Sequence, residues 1–247
     1  MALQKTNKKV ALITGGSGGI GSELVRCLAA KGISVVFTYL SSEKEANEIV
    51  ASIRANKGEV NAIRADISKL DDITAIYHFI QEQYGQFDYL INNAGMIMPG
   101  PIEDITNELY EKIFNINVRG ALFILKEATP FLRKGGSIIN ISSTMVGIPI
   151  AGSALYAASK AALELFSRVL SKEMGPRDIT VNSLRLGATI PGMFAKAPPE
   201  RQAAFAAASP FNRLGTPHDV ANIVTFLLSD GGRWITGQTI TVDGGAT

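Results

Sequence analysis

The stretch KVALITGGSGGIG, residues 9–21, joins a short apolar run to a turn with glycines at positions 15, 19 and 21. Glycine has no Cβ, so it permits a sharp turn and lets the backbone approach a phosphate closely. The amphipathic segment IGSELVRCLAAKG, residues 20–32, follows directly. The first turn of such a helix offers unpaired N–H groups and the positive end of its dipole to an anion. Many strand-to-helix turns contain glycine for geometry alone, but this position between strand and helix predicts a dinucleotide site.

Six further apolar segments follow this first strand, separated by stretches with helical periodicity. One helical stretch, residues 43–56, places Ala46, Ile49 and Ile53 on one face, and another covers residues 73–84. The six apolar segments are ISVVFTY (33–39), VNAIRAD (60–66), FDYLINN (87–93), GSIINIS (136–142), ITVNSLR (179–185) and QTITV (238–242). Regular alternation predicts an α/β fold: a single-domain Rossmann fold, doubly wound, with a seven-stranded parallel sheet and helices on both faces.

The composition indicates one ordinary globular domain over residues 1–247. Hydrophobic residues make up 46% and charged residues 19%, and the formal net charge of +2 is too small to suggest a nucleic-acid or membrane-surface protein. The single cysteine, Cys27, has no partner for an internal disulfide and is expected to pack in the core. His78 and His218 have no metal-ligand spacing, so no metal site is predicted. MALQKTNKK (1–9) has no apolar region typical of a signal peptide, which predicts a cytoplasmic protein.

A long irregular segment, residues 187–212, interrupts the pattern after the sixth strand. It carries four prolines, at 191, 198, 199 and 210, around a short alanine-rich helix. Ligands of α/β folds bind at the carboxyl ends of strands, so this insert is a candidate lid over a substrate site. The alternative is a surface excursion with no role. The apolar residues Met193 and Phe194, in an otherwise solvent-facing segment, favour the lid.

The end of the second strand, TYLSSEK (38–44), bears on the choice of dinucleotide. An acidic residue there would bind the ribose 2′-hydroxyl and repel a 2′-phosphate. This segment instead has Ser41 and Ser42 at the strand end and Lys44 just beyond, which favours NADP over NAD. The two serines also fit helix capping, since Ser42 and Glu45 match a capping box. Both interpretations can hold together.

A tyrosine and a lysine stand four residues apart in YAASK, at Tyr156 and Lys160. Residues at this spacing share one face of a helix. A tyrosine of ordinary pKa, about 10, is a poor proton donor and acceptor at neutral pH, and a nearby cation favours its phenolate form. Such a pair is common by chance on a helix, and Ser142 and Ser143 before it also read as a plain polar turn. Together and in this order behind the glycine turn, they indicate acid–base chemistry.

With the glycine turn, NNAG at residues 92–95, and the Tyr156–Lys160 pair, the chain resembles the short-chain dehydrogenase/reductase family from residue 9 to residue 245. The closing segment RLGTPHDVANIVTFLLSDGGRWITGQTITVDGG, residues 213–245, is most similar to the NADP-dependent 3-oxoacyl-(acyl carrier protein) reductases of that family. The resemblance implies a catalytic set of Asn117, Ser143, Tyr156 and Lys160. The cofactor-binding residues then predicted are Gly15, Ser17, Gly19, Ile20, Gly21, Tyr39, Ser41, Ser42, Asp66, Ile67, Asn93, Ala94, Gly95, Tyr156, Lys160, Gly187 and Thr189.

The substrate pocket is expected to be apolar and adaptable, with Ser143, Met145, Tyr156 and Met193 touching the substrate. The residues expected to line it are Met96, Met98, Met145, Val146, Ile148, Ile150, Leu155, Gly187, Met193 and Phe194. Methionines fill irregular spaces, and such a pocket suits a ketone or β-ketoacyl chain better than a sugar. The alternative for part of this set is ordinary core packing.

The chain departs from the family pattern in NSLRLGATIPG, residues 182–192. Leu186 stands where the family usually has proline, and Pro191 stands where it often has threonine. In the family this loop meets the nicotinamide and begins the substrate lid. The departures therefore bear on the geometry of the lid.

These observations predict an NADP(H)-dependent oxidoreductase of carbonyl or alcohol substrates, most similar to a 3-oxoacyl thioester reductase. The alternatives are an enzyme for another small ketone, alcohol or sugar, and a non-catalytic NADP-binding regulator. The resemblance also implies a homotetramer paired through helices over residues 106–133 and 156–174, and a substrate that is free or bound to an acyl carrier protein. Basic residues that would suit an acidic carrier, or that are simply solvated, are Lys126, Arg133, Arg168 and Lys172.

Overall fold

The computed structural model describes residues 8–247. Most of the segment on which the signal-peptide prediction rests, residues 1–7, lies outside them. All strand pairs are parallel, and they form a seven-stranded sheet of order β3-β2-β1-β4-β5-β6-β7. The strands are β1 (Val10–Ile13), β2 (Ser34–Tyr39), β3 (Val60–Arg64), β4 (Phe87–Asn92), β5 (Leu132–Ser143), β6 (Thr180–Leu186) and β7 (Thr239–Val242). The predicted fold class and all seven strands are confirmed.

Helices cover both faces of the sheet, as predicted. They are α1 (Gly19–Ala30), α2 (Glu43–Ala55), α3 (Leu70–Tyr84), α4 (Asn107–Phe114), α5 (Ala121–Ala128), α6 (Ala154–Met174), α7 (Pro199–Ala208) and α8 (Pro217–Leu228). β1 is buried throughout and lies between two hydrophobic cores. Ala11 and Ile13 belong to the core formed with α1, α2 and α8. Val10 and Leu12 belong to the core formed with α3 and α5. Among residues 8–247, no helix has the length and apolar character needed to cross a membrane.

The helix expected over residues 106–133 is shorter and is divided. α4 and α5 are joined by a π-helical segment, Asn115–Gly120, and α5 ends at Ala128. Asn117 lies within this π-helical segment. Arg133 is in β5 rather than in a helix, and its Nη1 lies 2.7 Å from the buried carboxylate of Asp88. Arg133 is therefore neither on a helix nor unpaired, contrary to the expectation for a basic residue that suits an acidic carrier protein.

The capping box predicted at Ser42 and Glu45 is wrong. Ser42 is the residue before α2, but its backbone has φ −90° and ψ 59° and its side chain makes no capping hydrogen bond. A capping residue normally has an extended backbone, which turns its oxygen toward the free amides. The described chain has such a box at the start of α8, where Thr216 and Asp219 satisfy each other's backbone N–H groups. The spacing T-x-x-D at 216–219 carries that signal in the sequence.

The start of the insert at 187–212 pairs with the backbone just after its end. Thr189 and Gly215 form an isolated parallel bridge, with the N–H of Ile190 donating to the Gly215 carbonyl at 3.0 Å. The predicted alanine-rich helix is α7. The insert also reaches back to the dinucleotide turn, because a Cβ placed on Gly19 would collide with the backbone of Pro191 and Gly192. The insert therefore stands directly beside the glycine turn.

Candidate active site

The glycine turn forms a backbone cradle at the carboxyl end of β1, where the strand order reverses between β1 and β4. Gly15 has a positive φ of 67°, and its N–H donates to Thr38 Oγ1 at 3.1 Å. A Cβ on Gly21 would lie 2.9 Å from Asn93 Nδ2, so this position requires glycine. No side chain caps α1, and its first turn holds no acidic residue. The free amides and the dipole of α1 therefore fit the pyrophosphate of a dinucleotide.

The NNAG segment is held against the cradle by Thr14, a residue that the sequence interpretation did not single out. The Oγ1 of this fully buried threonine accepts from the N–H groups of Asn93 at 3.0 Å and Ala94 at 2.9 Å. Asn93 Nδ2 in turn donates to the carbonyls of Thr14 at 2.9 Å and Gly15 at 3.1 Å. The only sequence signal is a polar residue ending an apolar strand.

The adenosine side of the cradle is formed by the ends of β2 and β3. Asp66 Oδ1 accepts hydrogen bonds from the N–H and the hydroxyl of Ser68, at 3.0 and 2.7 Å. The neighbouring Ile67 is buried. Tyr39 pairs with Arg64 across the two strands. Arg64 is exposed, and its Nε donates to the Leu40 carbonyl at 3.2 Å. Arg64 therefore places a cation next to the end of β2. The sequence analysis did not identify this cation, because Arg64 belongs to the neighbouring strand β3.

The four predicted catalytic residues are all buried, and contacts among their elements bring them together. Asn117 is anchored to the loop after β4: its Oδ1 accepts from the N–H of Met96, and its Nδ2 donates to the Met96 carbonyl, both at 2.8 Å. Lys160 Nζ donates to the carbonyl of Ile141 at 2.9 Å. A Cβ on Gly95 would lie 3.0 Å from Lys160 Nζ and 3.2 Å from Asn117 Oδ1. Gly95 thus makes room for both groups.

Burial dominates the protonation of the tyrosine and the lysine. It raises the pKa of Tyr156 above its ordinary value of 10, and the side-chain hydrogen bond with Ser143 offsets part of that rise. Burial lowers the pKa of Lys160 from 10.5 to about 8. We expected the lysine to favour the phenolate, but Lys160 Nζ is 5.9 Å from the Tyr156 ring and is held by a carbonyl. Burial therefore outweighs any effect of Lys160 in this structure, and the raised pKa keeps Tyr156 protonated at neutral pH.

A partly buried ion pair lies next to the predicted catalytic residues. Glu164 follows Lys160 by one turn of α6, and Arg185 of β6 binds both of its carboxylate oxygens, with Nε at 3.0 Å and Nη2 at 2.6 Å. Ser142 donates to the same carboxylate at 2.7 Å. These contacts join α6, β5 and β6 directly beside Ser143. The sequence interpretation did not find them, because they depend on register between distant segments.

An apolar cavity of about 170 Å³ adjoins the ends of β5 and β6. It is lined by Thr144, Ile148, Ile150, Gly187, Ala188, Phe205, Ala208, Arg213, Leu214, Gly215, Asp243, Ala246 and Thr247. Of the expected lining, Ile148, Ile150 and Gly187 are present. Met145 lies in the turn after Ser143 but outside the wall, and Met193 is 52% exposed in the short helix Met193–Lys196.

The remaining predicted residues surround the cavity and the cradle. Phe194 packs its ring 4.9 Å from that of Phe205, so it supports the wall from outside. Thr189 is buried, and its Oγ1 donates to the Gly187 carbonyl at 3.1 Å.

Ser17 is partly buried within the glycine turn, and Ile20 packs against the core beneath it. Ser41 is exposed at the end of β2. The cavity wall also excludes other residues that the sequence analysis expected at the substrate pocket: Met96, Met98, Ser143, Val146, Leu155 and Tyr156.

A cradle suited to pyrophosphate, next to a buried phenol, hydroxyl and amine, is the arrangement of a dinucleotide-dependent oxidoreductase. Comparison with known proteins agrees. Residues 15–247 match a family model described as enoyl-(acyl carrier protein) reductase, and the chain belongs to the short-chain dehydrogenase/reductase family. It is an oxidoreductase of that family.

Relatives and solved structures match along almost the whole chain. An uncharacterized oxidoreductase of Methylorubrum extorquens is 39% identical over 246 residues, covering 98% of this chain and 99% of the relative. A versicolorin reductase of Emericella nidulans is 37% identical, covering 96% and 95%. A short chain dehydrogenase from Burkholderia cenocepacia, solved in complex with NADP, has a TM-score of 0.92, 36% identity, and coverage of 98% and 99%. A blue fluorescent protein from a metagenomic library, in complex with NADPH, has a TM-score of 0.92, 37% identity, and coverage of 99% and 100%.

Proposed function

We propose that this protein is an NADP(H)-dependent carbonyl reductase whose substrate is a 3-oxoacyl thioester or a ketone of similar size. The observation that carries the proposal is the pair of buried hydroxyl groups of Ser143 and Tyr156, which are joined by a hydrogen bond. Ser143 directly precedes Thr144, which lies in the wall of the apolar cavity. Such a pair suits a carbonyl oxygen, which two donors can hold at once. Bound NADPH would supply the hydride, held by the glycine cradle and by Lys160, which lies beside Gly95.

The protein's own residues account for the proton and for orientation. Tyr156 is a protonated phenol at neutral pH, so it is ready to donate to the oxygen of a carbonyl that is being reduced. Ser143 holds the same oxygen and disperses its developing charge. Asn117 fixes the loop at Met96 and also donates to Ser159 at 3.0 Å, which keeps α6 in register with the cradle. In the reverse direction Tyr156 accepts the proton of an alcohol.

The preference for NADP(H) rests on the charge at the end of β2 and on the relatives solved with NADP and NADPH. Arg64 and Lys44 are the nearby cations, and neither Ser41 nor Ser42 would repel a phosphate. Charge-assisted hydrogen bonds contribute about 1.5–3 kcal/mol, so Arg64→Gln is expected to raise KM for NADPH about tenfold and to leave KM for NADH unchanged. Arg168→Gln, an exposed arginine of α6, is the matched control. Equal use of NADH and NADPH by the unaltered protein would contradict the preference.

The substrate class follows from the walls of the cavity. Ile148, Ile150, Phe205 and Leu214 are apolar, which favours an acyl or aromatic ketone over a sugar. A second candidate substrate is a compound similar to versicolorin, because one relative is named a versicolorin reductase. If the substrate is bound to an acidic carrier protein, Lys126, Arg168 and Lys172 are the basic residues proposed to meet it.

The test is consumption of NADPH against a panel of acetoacetyl thioesters, aliphatic and aromatic ketones, and sugars. We expect turnover with thioesters or ketones, and loss of at least about a hundredfold in kcat in Tyr156→Phe with unchanged NADPH affinity. Tight NADPH binding with no turnover on any member, together with a biological effect that Tyr156→Phe leaves intact, would establish a regulator instead.

The assembly proposed is a homotetramer that pairs through α4, α5 and α6. Leu165 and Val169 are one turn apart on α6 and are 53% and 50% exposed, and Leu122 on α5 is 40% exposed. Contiguous exposed apolar residues of this kind are typical of subunit interfaces. Light scattering after gel filtration is expected to give four times the chain mass. The Leu165→Glu, Val169→Glu variant is expected to give a smaller species, and a monomeric unaltered protein would refute the assembly.

A further inference from the structure

Three side chains with metal-binding atoms meet between α1 and α8, away from the catalytic residues. Glu23 and Cys27 are one turn apart on α1, and His218 lies in the first turn of α8. Glu23 Oε1 is 3.1 Å from His218 Nδ1 and 3.2 Å from Cys27 Sγ, and one ligand atom from each residue lies within 4.8 Å of the others. The cluster cannot be recognised from the spacing of residues along the chain, because 195 residues separate Glu23 from His218.

The distances among the three ligand atoms are close to those of a tetrahedral metal site. Zinc binds thiolate sulfur at about 2.3 Å, imidazole nitrogen at about 2.0–2.1 Å and carboxylate oxygen at about 2.0–2.2 Å. Tetrahedral angles then set the ligand atoms about 3.3–3.6 Å apart. The Glu23–His218 and Glu23–Cys27 distances are a few tenths of an ångström shorter, and the Cys27 and His218 ligand atoms lie within 4.8 Å of each other. A metal ion therefore requires the three side chains to adjust around it, while the helices keep their positions. We propose that Glu23, Cys27 and His218 bind one divalent transition-metal ion such as Zn²⁺, with water as the fourth ligand.

The charges and the exposure of the three residues agree with this assignment. A Cys27 thiolate and the Glu23 carboxylate together neutralise a divalent cation, and the thiol proton leaves to solvent as the metal binds. Cys27 packs against the core, which fixes its sulfur. The side chains of Glu23 and His218 are 30% and 66% exposed, so the open side of the site faces water. This mixture of nitrogen, sulfur and oxygen ligands suits zinc or cobalt rather than magnesium or calcium.

Two regular helices hold all three ligands, so no loop has to become ordered around the ion. α1 begins at the glycine cradle, and α8 begins just after Gly215, which closes the base of the insert. A metal ion at this position joins the cradle helix to the helix that follows the insert. The expected consequence is stabilisation: at a hundredfold excess over the dissociation constant, Tm rises by about 5 °C. The site takes no part in hydride transfer, and the proposal does not depend on the proposed function.

Titration of the untagged, metal-free protein with Co²⁺ tests the site directly. The chain has one cysteine, so a thiolate-to-cobalt charge-transfer absorption can arise only from Cys27. We expect this absorption to saturate at one Co²⁺ per chain and to be displaced by Zn²⁺. Cys27→Ser is expected to abolish the absorption, and His218→Gln and Glu23→Gln are expected to weaken Zn²⁺ binding about a hundredfold.

His78→Gln is the matched control, because the chain has two histidines and His78 lies exposed on α3. It is expected to bind cobalt as the unaltered protein does. His218 is a surface residue, so its variant is expected to fold normally even if Cys27→Ser does not. The proposal fails if no thiolate absorption appears, or if Zn²⁺ binds equally well to His218→Gln. In either case the three residues are only a hydrogen-bonded chain across the two helices.

Discussion

Replacement of Lys160 by methionine is expected to change how the stability of the protein depends on pH. Lys160 is 2% exposed, and burial lowers its pKa from 10.5 to about 8. Methionine has nearly the same length and carries no charge, so Lys160→Met removes one titrating group and keeps most of the packing. Tyr156 also titrates at high pH, so both proteins are compared in a Tyr156→Phe background.

The direction follows from proton binding in the two states. Below pH 8 the folded and unfolded lysines are both protonated, and the folded protein bears the full cost of a buried ammonium. Between about pH 8 and 10.5 the unfolded lysine still holds a proton that the folded lysine has lost, so the free energy of unfolding rises with pH. One pKa unit corresponds to 1.36 kcal/mol, so the fall from 10.5 to about 8 gives a total change of about 3 kcal/mol.

Urea unfolding at pH 7, 8, 9 and 10.5 measures this change. The free energy of unfolding of the lysine protein, minus that of Lys160→Met, is expected to rise by about 3 kcal/mol across the series. Groups common to both proteins cancel in the difference. Lys172→Met, which removes an exposed lysine of the same helix, is expected to show no such rise. A difference for Lys160→Met that stays flat within about 1 kcal/mol would refute the burial argument.

Three further changes test other contacts. Glu164→Gln leaves the partly exposed guanidinium of Arg185 without its counter-charge and weakens the link to β5. Urea unfolding is expected to show a loss of about 2 kcal/mol, the scale of a hydrogen bond to a charged group, and steady-state assays a fall in kcat with little change in KM. If replacing Arg185 by methionine as well does not recover stability, the ion-pair reasoning fails. Gly95→Ala places a Cβ 3.0 Å from Lys160 Nζ and is expected to lower kcat at least tenfold with Tm nearly unchanged, whereas unimpaired turnover would show that the lysine has room to move. Asp88→Asn removes the charge that Lys9 and Arg133 share, and a loss of about 2 kcal/mol is expected by urea unfolding, with a loss below about 0.5 kcal/mol contradicting the ion pairs' role.

Much of the fold is predictable because the sheet is buried on both faces. A strand such as β1 is then apolar throughout, and the helices between strands carry one apolar face, so the pattern alone defines the order of elements along the chain. The relative positions of Ser143, Tyr156 and Lys160 follow as well, because the carboxyl ends of neighbouring parallel strands and the next helix meet at one edge. These are consequences of local pattern and topology.

Contacts set by the register of distant segments are not predictable in this way. Arg64 lies beside Tyr39 only because β3 pairs with β2 at one particular register. From the sequence alone, Glu164 is expected to be an exposed helix residue and Arg185 an ordinary strand residue. Their ion pair becomes evident only when α6 is seen to pack across β6. Cys27 reads as a small core residue until His218 is placed next to it. In each case the partner is far along the chain, and periodicity carries no information about it.

The substitution of leucine for the family's proline at 186 has a structural explanation. Leu186 is the last residue of β6, paired with Ser143 on one side and Val242 on the other, and its side chain is buried in the core. A proline at 186 would bring no N–H to this ladder. The sheet therefore continues alongside Ser143, and the N–H of Gly187 extends it further by donating to the Val242 carbonyl at 3.0 Å. The insert therefore begins only after a hydrogen-bonded strand edge, and its residues Ala188 and Phe205, with Leu214 just beyond it, line the cavity while Ser143 stays paired with β6.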